Sequence, residues 1–242
     1  MDHTTVDAVL FDLDGVITPT AEKHMQAWKT MFSAYFAERE VDAYTDADYF
    51  RYLDGRPRSE GIEAMLAARG LTLDPGTPDD PAASDTVGGL GTRKNEIFLE
   101  LLARGIEPYP GTVRYLDALD AAGIDSAVVS SSKNARGVLE AAGLAGRFDV
   151  VVDGLVAAAD GLPGKPRPDT FLRGAELLGH APDRCVVVED AESGVRAGAA
   201  GGFAHVVGVD RGAGRATLAE AGADVVVDDL DELVADARAA AR

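Results

Sequence analysis

Short runs of consecutive apolar residues recur along the chain, and stretches with the spacing of an amphipathic helix separate most of them. Val186-Val187-Val188 is a typical run, because no polar residue alternates with the apolar ones. Such runs are typical of strands buried on both faces, as in a parallel sheet that helices cover on each side. The predicted strands cover residues 6–11, 124–130, 149–152, 185–188, 205–209 and 224–227.

A long block of helical pattern separates the first predicted strand from the other strands. Trp28 and Phe32 belong to an apolar stripe with helical spacing, and Gly70 is a typical stop after a helix. The predicted helices of this block cover residues 21–36, 46–53, 59–69 and 92–104, with a loop rich in Pro, Gly and Asp over 74–91. We interpret residues 21–104 as an inserted helical cap domain.

The remaining segments predict the core domain. After the cap block, predicted helices alternate with the strands, over residues 111–122, 134–142, 169–178, 193–200 and the C-terminal end, and a Gly-rich loop covers 153–164. This alternation favours an α/β fold with a Rossmann-like, doubly wound parallel sheet. We assign residues 1–20 and 105–242 to this core.

Charge and cysteine content narrow the classes of function. The 242 residues carry 41 Asp plus Glu against 23 Lys plus Arg, a formal net charge of −18. General binding to nucleic acid or to an anionic membrane needs a basic surface, so we expect neither. The single cysteine, Cys185, excludes an intramolecular disulfide. Together with the lack of a signal-peptide pattern or an apolar span, this favours a cytoplasmic protein.

Four polar clusters follow predicted strands. They are Asp12 with Asp14, the run from Ser130 to Asn134, Lys165, and Glu189 with Asp190. Ligands of parallel α/β sheets bind at the carboxyl ends of the strands. Each cluster taken alone is most simply a helix cap, a turn or loop decoration. Their coincidence predicts a single site.

The residue types of these clusters suit phosphate chemistry. Neighbouring carboxylates repel one another, so a site in which they are all ionised needs a cation. Oxygen ligands without a Cys/His set favour Mg²⁺ over zinc. Hydroxyl groups, Asn134 and Lys165 are suitable donors for phosphate oxygens, and a helix beginning near Asn134 would add backbone N–H groups.

The residues of these clusters, and their order along the chain, resemble the motifs of a known family. The segment from Phe11 to Ile17, then Ser130, then Lys165 with the Pro-Arg-Pro-Asp that follows it, and then Glu189-Asp190 resemble the four motifs of the haloacid dehalogenase superfamily. Within that superfamily the chain is most similar to the β-phosphoglucomutase-like family, through His24, Trp28 and Arg58, through Thr20-Ala21-Glu22, Gly55 and Arg93-Lys94-Asn95, and through Ser132-Lys133-Asn134.

The resemblance implies roles in the core. Asp12 would be the nucleophile that forms an aspartyl phosphate, and Asp14 the general acid and base. Ser130 and Lys165 would bind the transferring phosphoryl group. The metal, Mg²⁺, would be held by Asp12, the backbone oxygen of Asp14, and Asp190, with Glu189 close by.

The resemblance also implies substrate-binding residues. Arg58 would grip the distal phosphate, and His24 and Lys94 would position the substrate and Asp14. The complete expected set is His24, Trp28, Gly55, Arg58, Lys94, Ser131, Ser132, Lys133 and Asn134. From the residues alone, a structural role is the favoured interpretation for each of three cap residues: Trp28 and His24 as packed side chains, and Arg58 as a surface charge.

The implied activity is interconversion of β-glucose 1-phosphate and glucose 6-phosphate, with a small sugar phosphate as the partner molecule and a monomeric enzyme. The alternative is a phosphatase of small phosphorylated metabolites. Two residues depart from the family pattern and weaken the prediction of sugar phosphate interconversion. Pro19 stands where that pattern has an acidic residue, and Asp54 where it tends to have lysine. A signalling receiver domain and a non-catalytic acidic binding protein are further alternatives, and the inserted cap argues against the receiver domain.

Overall fold

The computed structural model describes residues 5–53, 56 and 58–240. These residues form two compact units. One consists of the described residues up to Pro19 together with those from Ile106 onward, and the other covers Thr20–Gly105. Among the described helices, none combines the length and the apolar character that a bilayer crossing requires.

The first unit is built on one six-stranded, fully parallel sheet. Its strands are β1 (Ala8–Phe11), β2 (Asp125–Val129), β3 (Val150–Val152), β4 (Cys185–Glu189), β5 (His205–Val209) and β6 (Val225–Val227). The strand order is β3-β2-β1-β4-β5-β6. This is the order of a doubly wound sheet, so the predicted fold class is confirmed.

The sheet register sets which strand ends meet. Phe11, the last residue of β1, is level with Val128 in β2 and with Val188 in β4. The residues that follow these three positions therefore come together at the carboxyl edge of the sheet. Every residue of β1 is buried, because apolar side chains cover both faces of the strand.

The second unit is helical. Its helices are α1 (Thr20–Ala37), α2 (Asp46–Asp48) continued by a π-helical turn (Tyr49–Leu53), α3 (Arg58–Ala67) and α4 (Val87–Leu102). The aromatic stripe predicted from the sequence forms its core: Trp28 stacks on Phe32 with ring centroids 5.6 Å apart, and Phe32 on Phe36 at 5.2 Å.

The prediction of a loop as far as Gly91 is wrong, because α4 begins at Val87. The Thr86 hydroxyl caps the helix by accepting a hydrogen bond from the Gly89 amide at 2.9 Å. The glycines that suggested a loop are sites of close packing. A Cβ atom on Gly88 would lie 1.8 Å from the Thr77 carbonyl oxygen, and one on Gly89 would lie 2.3 Å from that of Ser84.

The first unit contains the other α-helices, several of which pack on the sheet. They are α5 (Pro110–Ala122), α6 (Ala135–Ala141), α7 (Gly154–Ala159), α8 (Asp169–Leu178), α9 (Glu192–Ala200), α10 (Arg215–Ala221) and α11 (Val234–Ala240). Helix α7 lies where the sequence predicted a Gly-rich loop. The Asp153 carboxylate starts it by accepting hydrogen bonds from the amides of Leu155 and Val156, at 3.0 and 2.9 Å.

The close packing of α4 can be tested with a matched pair of glycine substitutions. Gly88→Ala forces a methyl group against the Thr77 carbonyl, and we expect it to lower the free energy of unfolding by about 1–3 kcal/mol. Gly137→Ala, in α6 where nothing lies within 4 Å of the added Cβ, should stabilise by about 0.5–1 kcal/mol. Urea unfolding measures both, and equal effects of the two substitutions would contradict the packing.

Candidate active site

The core residues predicted for catalysis lie at the carboxyl edge of the sheet. Asp12 directly follows β1, and its backbone amide bonds the Val188 carbonyl of β4 at 2.9 Å. Ser130 follows β2, and Glu189 is the last residue of β4. All three side chains are buried, which is costly for polar groups unless they have partners.

Lys165 connects these strand ends. Its ammonium group donates hydrogen bonds to Asp12 Oδ1 at 2.5 Å, to Glu189 Oε1 at 2.7 Å and to the Val129 carbonyl at 3.1 Å. Burial alone would lower the pKa of Lys165, but the carboxylates of Asp12 and Glu189 outweigh it and raise the pKa. Lys165 is therefore charged, and it joins β1, β2 and β4 through one nitrogen atom.

Three carboxylates form a compact oxygen cluster beside Lys165. Asp12, Glu189 and Asp190 each offer an oxygen, and these oxygens lie within 4.8 Å of one another. Burial, reinforced by Glu189 and Asp14, raises the pKa of Asp190 to about 8. Burial also raises the pKa of Asp12, against the opposing effect of Lys165. One lysine does not balance this negative charge, and an oxygen-only ligand set fits a hard divalent cation.

Gly15 lies in the turn after β1, directly after Asp14. Its φ of 88° lies in the left-handed region, and its amide bonds the Thr18 carbonyl at 2.8 Å. A Cβ atom here would lie 1.9 Å from Asp190 Oδ2. Glycine therefore lets the turn pack against Asp190. The Asp14 side chain is partly exposed and is not one of the three clustered carboxylates, although its charge contributes to the raised pKa of Asp190.

The serine-rich segment after β2 forms two successive side-chain turns. Ser130 Oγ accepts a hydrogen bond from the Ser132 amide, and Ser132 Oγ accepts one from the Asn134 amide, each at 3.1 Å. Ser131 and Lys133 are exposed. Helix α6 begins just after Asn134 and spans only Ala135–Ala141. The folded segment presents hydroxyl and ammonium groups next to the strand end that carries Ser130.

His24 and Lys94 form a pair within the cap. Lys94 Nζ donates a hydrogen bond to His24 Nδ1 at 2.6 Å, and the imidazole ring stacks on Phe98 at 4.1 Å between centroids. Burial, together with the charges of Lys94 and Arg58, lowers the pKa of His24 to about 3. His24 is therefore neutral at physiological pH, with the proton on Nε2, because Nδ1 is the acceptor.

The other predicted cap residues fall into two environments. Arg58 is exposed, and its guanidinium donates hydrogen bonds to neutral acceptors, the Gly91 carbonyl at 3.4 Å and Asn95 Oδ1 at 3.1 Å. Trp28 is buried in the cap core, with Lys94 Nζ 5.0 Å from its ring centroid. Gly55, and Asp54 beside it, lie outside the described residues.

Two residues that the sequence analysis missed hold the turn after β1 from outside. Arg211 Nε donates a hydrogen bond to the Gly15 carbonyl at 3.1 Å, and Thr112 Oγ1 donates one to the Val16 carbonyl at 2.7 Å. The position of Arg211 could have been predicted, because Asp210-Arg211 directly follows β5 and residues that follow parallel strands lie at the carboxyl edge of the sheet. Thr112 lies inside α5 and carries no comparable signal.

Comparison with known proteins decides the family. The family model of haloacid dehalogenase-like hydrolases matches residues 6–202. The chain belongs to this family. Enzymes of the family use a divalent metal, and the cluster of Asp12, Glu189 and Asp190 provides the oxygen ligands for one.

Individual relatives show which enzymes of the family the chain is most similar to among those compared. The chain is 50% identical to a β-phosphoglucomutase of Mycobacterium bovis over 240 residues, which cover 95% of this chain and 92% of the relative. It is 31% identical to hexitol phosphatase A of Escherichia coli, over 93% of this chain and 91% of that protein. A crystal structure of β-phosphoglucomutase from Clostridium difficile superposes with a TM-score of 0.72 at 27% identity, covering 94% of this chain and 93% of that one. This fold likeness agrees with the family assignment.

The three-way contact of Lys165 can be tested by removing its charge. Lys165→Met leaves Asp12 and Glu189 buried without their cation, and we expect the free energy of unfolding to fall by about 3 kcal/mol. Lys29→Met is the matched control, because Lys29 pairs with Asp46 on the surface and its loss should cost less than about 1 kcal/mol. Denaturant unfolding in metal-free buffer measures both variants. Similar values for the two would contradict the central role of Lys165.

Proposed function

We propose that this protein is a Mg²⁺-dependent phosphotransferase that interconverts β-glucose 1-phosphate and glucose 6-phosphate through an aspartyl phosphate on Asp12. The observation that carries the proposal is the buried Asp12 carboxylate, fixed by Lys165 at 2.5 Å and flanked by Glu189 and Asp190. The identity of 50% to a β-phosphoglucomutase, over nearly the whole chain, supports the choice of substrate.

The chemistry is a pair of phosphoryl transfers. A carboxylate oxygen of Asp12 bonds to phosphorus of a sugar bisphosphate, the bond from phosphorus to the sugar oxygen breaks, and Asp14 donates the proton to that oxygen. In the reverse transfer, Asp14 accepts the proton of the 6-hydroxyl of β-glucose 1-phosphate, and that oxygen takes the phosphoryl group from Asp12. Transfer of the 1-phosphoryl group of this bisphosphate to Asp12 then leaves glucose 6-phosphate.

The other residues of the core bind and orient. Lys165 neutralises charge on the phosphoryl oxygens and holds Asp12 in place, while Ser130 offers its hydroxyl group. Mg²⁺, when bound by Asp12, Asp190 and the Asp14 backbone oxygen with Glu189 close by, would supply charge neutralisation at the phosphoryl group. Ser131, Ser132, Lys133 and Asn134 would bind phosphate oxygens.

The proposal extends to the cap. Arg58 would bind the non-transferring phosphate, and its exposed guanidinium with neutral acceptors is suited to an anion. His24, fixed by Lys94, would offer its Nε2 proton as a neutral donor. Trp28 is buried in the cap core, so a packing role would account for it equally well. Gly55 remains a prediction, as do the monomeric state and the cytoplasmic location.

The second candidate is a phosphatase of a small phosphorylated sugar or sugar alcohol. It is favoured by the 31% identity to hexitol phosphatase A. The first transfer to Asp12 would be the same, and water would then hydrolyse the aspartyl phosphate. The two candidates therefore share the aspartyl phosphate and differ in its acceptor, which is a sugar hydroxyl in the first and water in the second.

The acceptor can be identified by ³¹P NMR. The protein is incubated with Mg²⁺, β-glucose 1-phosphate and a trace of glucose 1,6-bisphosphate, and we expect glucose 6-phosphate to accumulate without free phosphate. Asp12→Asn should reduce the rate by at least about a thousandfold, because it removes the nucleophile. Asp183→Asn, which changes an exposed carboxyl group before β4, should leave the rate unchanged.

Two results would contradict the proposal. Accumulation of free phosphate instead of glucose 6-phosphate would establish the phosphatase. Full activity of Asp12→Asn would exclude Asp12 as the nucleophile in either candidate.

A further inference from the structure

Arg211 has more polar contacts than a surface arginine needs. Its guanidinium donates to the Gly15 carbonyl at 3.1 Å, to the Asp228 carbonyl at 3.0 Å and to Asp229 Oδ2 at 3.3 Å. The same group lies over the Tyr109 ring, 3.8 Å from its centroid. Both the edge and a face of the planar group are therefore in contact, which restricts it to one orientation.

The Gly15 carbonyl belongs to a turn that satisfies several of its backbone groups itself. The Gly15 amide bonds the Thr18 carbonyl, and the amides of Ile17 and Thr18 both bond the Leu13 carbonyl. Three successive carbonyls are instead bonded from outside the turn: that of Gly15 by Arg211, that of Val16 by Thr112 and that of Ile17 by the Tyr109 amide. Arg211 is thus one of the groups that fix the turn to the body of the sheet.

Gly15 is also in close contact with the carboxylate cluster. The direction in which a Cβ atom would point leads to Asp190 Oδ2, only 1.9 Å from the ideal Cβ position. The backbone of the turn therefore limits where the Asp190 carboxylate can lie. A shift of Gly15 away from the sheet would open space beside Asp190 and would also rotate the peptide that joins Asp14 to Gly15.

From these contacts we infer that Arg211 is a positioning residue for the divalent cation. By holding the Gly15 carbonyl, it keeps the turn packed on Asp190 and keeps the oxygens of Asp12, Asp14 and Asp190 at the spacing that a small cation requires. The inference rests on the Mg²⁺ site of the proposed function, but not on the identity of the sugar or of the phosphoryl acceptor. Arg211 itself does not bond the clustered carboxylates, and its inferred role requires no contact with the substrate.

The test measures Mg²⁺ binding, in the absence of substrate, by the wild type and by three variants. Arg211→Met keeps an apolar stem over Tyr109 but cannot donate a hydrogen bond, and Arg211→Lys restores one donor. Arg215→Met is the matched control, because Arg215 pairs with Asp228 Oδ1 at 2.6 Å and bonds the Val226 carbonyl in the same segment without reaching the turn. Titration calorimetry with MgCl₂ gives the dissociation constant, and thermal unfolding in metal-free buffer reports on stability alone.

We expect Arg211→Met to raise the Mg²⁺ dissociation constant by about tenfold, the scale of outer contacts that orient metal ligands. Arg211→Lys should raise it by about threefold, as part of that effect. Arg215→Met should leave it unchanged even if it lowers the melting temperature. Should Arg211→Met fail to fold, Arg211→Lys decides the question in the same way.

Unchanged Mg²⁺ affinity in the folded Arg211 variants, with normal binding by the wild type, would overturn this inference alone. A purely structural role predicts that outcome, with only the melting temperature lowered. If the wild type itself bound no Mg²⁺, the metal of the proposed function would be wrong, and the inference would be overturned with it.

Discussion

A single buried ammonium group holds the candidate active site together. Lys165 lies within 2.7 Å of carboxylates from the ends of two neighbouring strands, and it also bonds the Val129 carbonyl at the end of the strand on the other side of β1. Removing it would leave two acidic side chains in an interior that solvates charge poorly. The arrangement depends on the parallel register, which places the ends of β1, β2 and β4 level at one edge of the sheet.

The space around this charge cluster is set by glycines. Gly15 lets the turn after β1 reach Asp190, and Gly194 lets helix α9 approach Glu189, since a Cβ atom there would lie 1.7 Å from Glu189 Oε1. Glu189 is further fixed by the Ala191 amide at 2.9 Å. Backbone thus positions both acidic side chains, with the turn at Gly15 against Asp190 and helix α9 against Glu189. Because these carboxylates are held close together, their excess negative charge must be balanced by a cation.

Much of the core was predictable because its signals are local. Each strand contains a run of apolar residues, such as Ala127-Val128-Val129 in β2, and Asp12, Ser130 and Glu189 each directly follow such a run. The sheet and the meeting of its polar clusters could therefore be predicted. The start of α4 could not, because Gly88 and Gly89 suggest a loop until the approach of Thr77 and Ser84 is known. Arg211 directly follows β5, so its place at the carboxyl edge was predictable, but its bond to the Gly15 carbonyl was not, because the sequence does not show where a backbone carbonyl points.

The most direct test of the account is to locate the phosphoryl group on the enzyme. After brief incubation with Mg²⁺ and glucose 1,6-bisphosphate and an acid quench, the protein is digested and analysed by mass spectrometry. We expect one phosphoryl adduct on the peptide that contains Asp12, removable by hydroxylamine as an acyl phosphate and absent in Asp12→Asn. An adduct on a serine of the Ser130–Asn134 segment, or one that persists in Asp12→Asn, would contradict the assignment of Asp12 as the nucleophile.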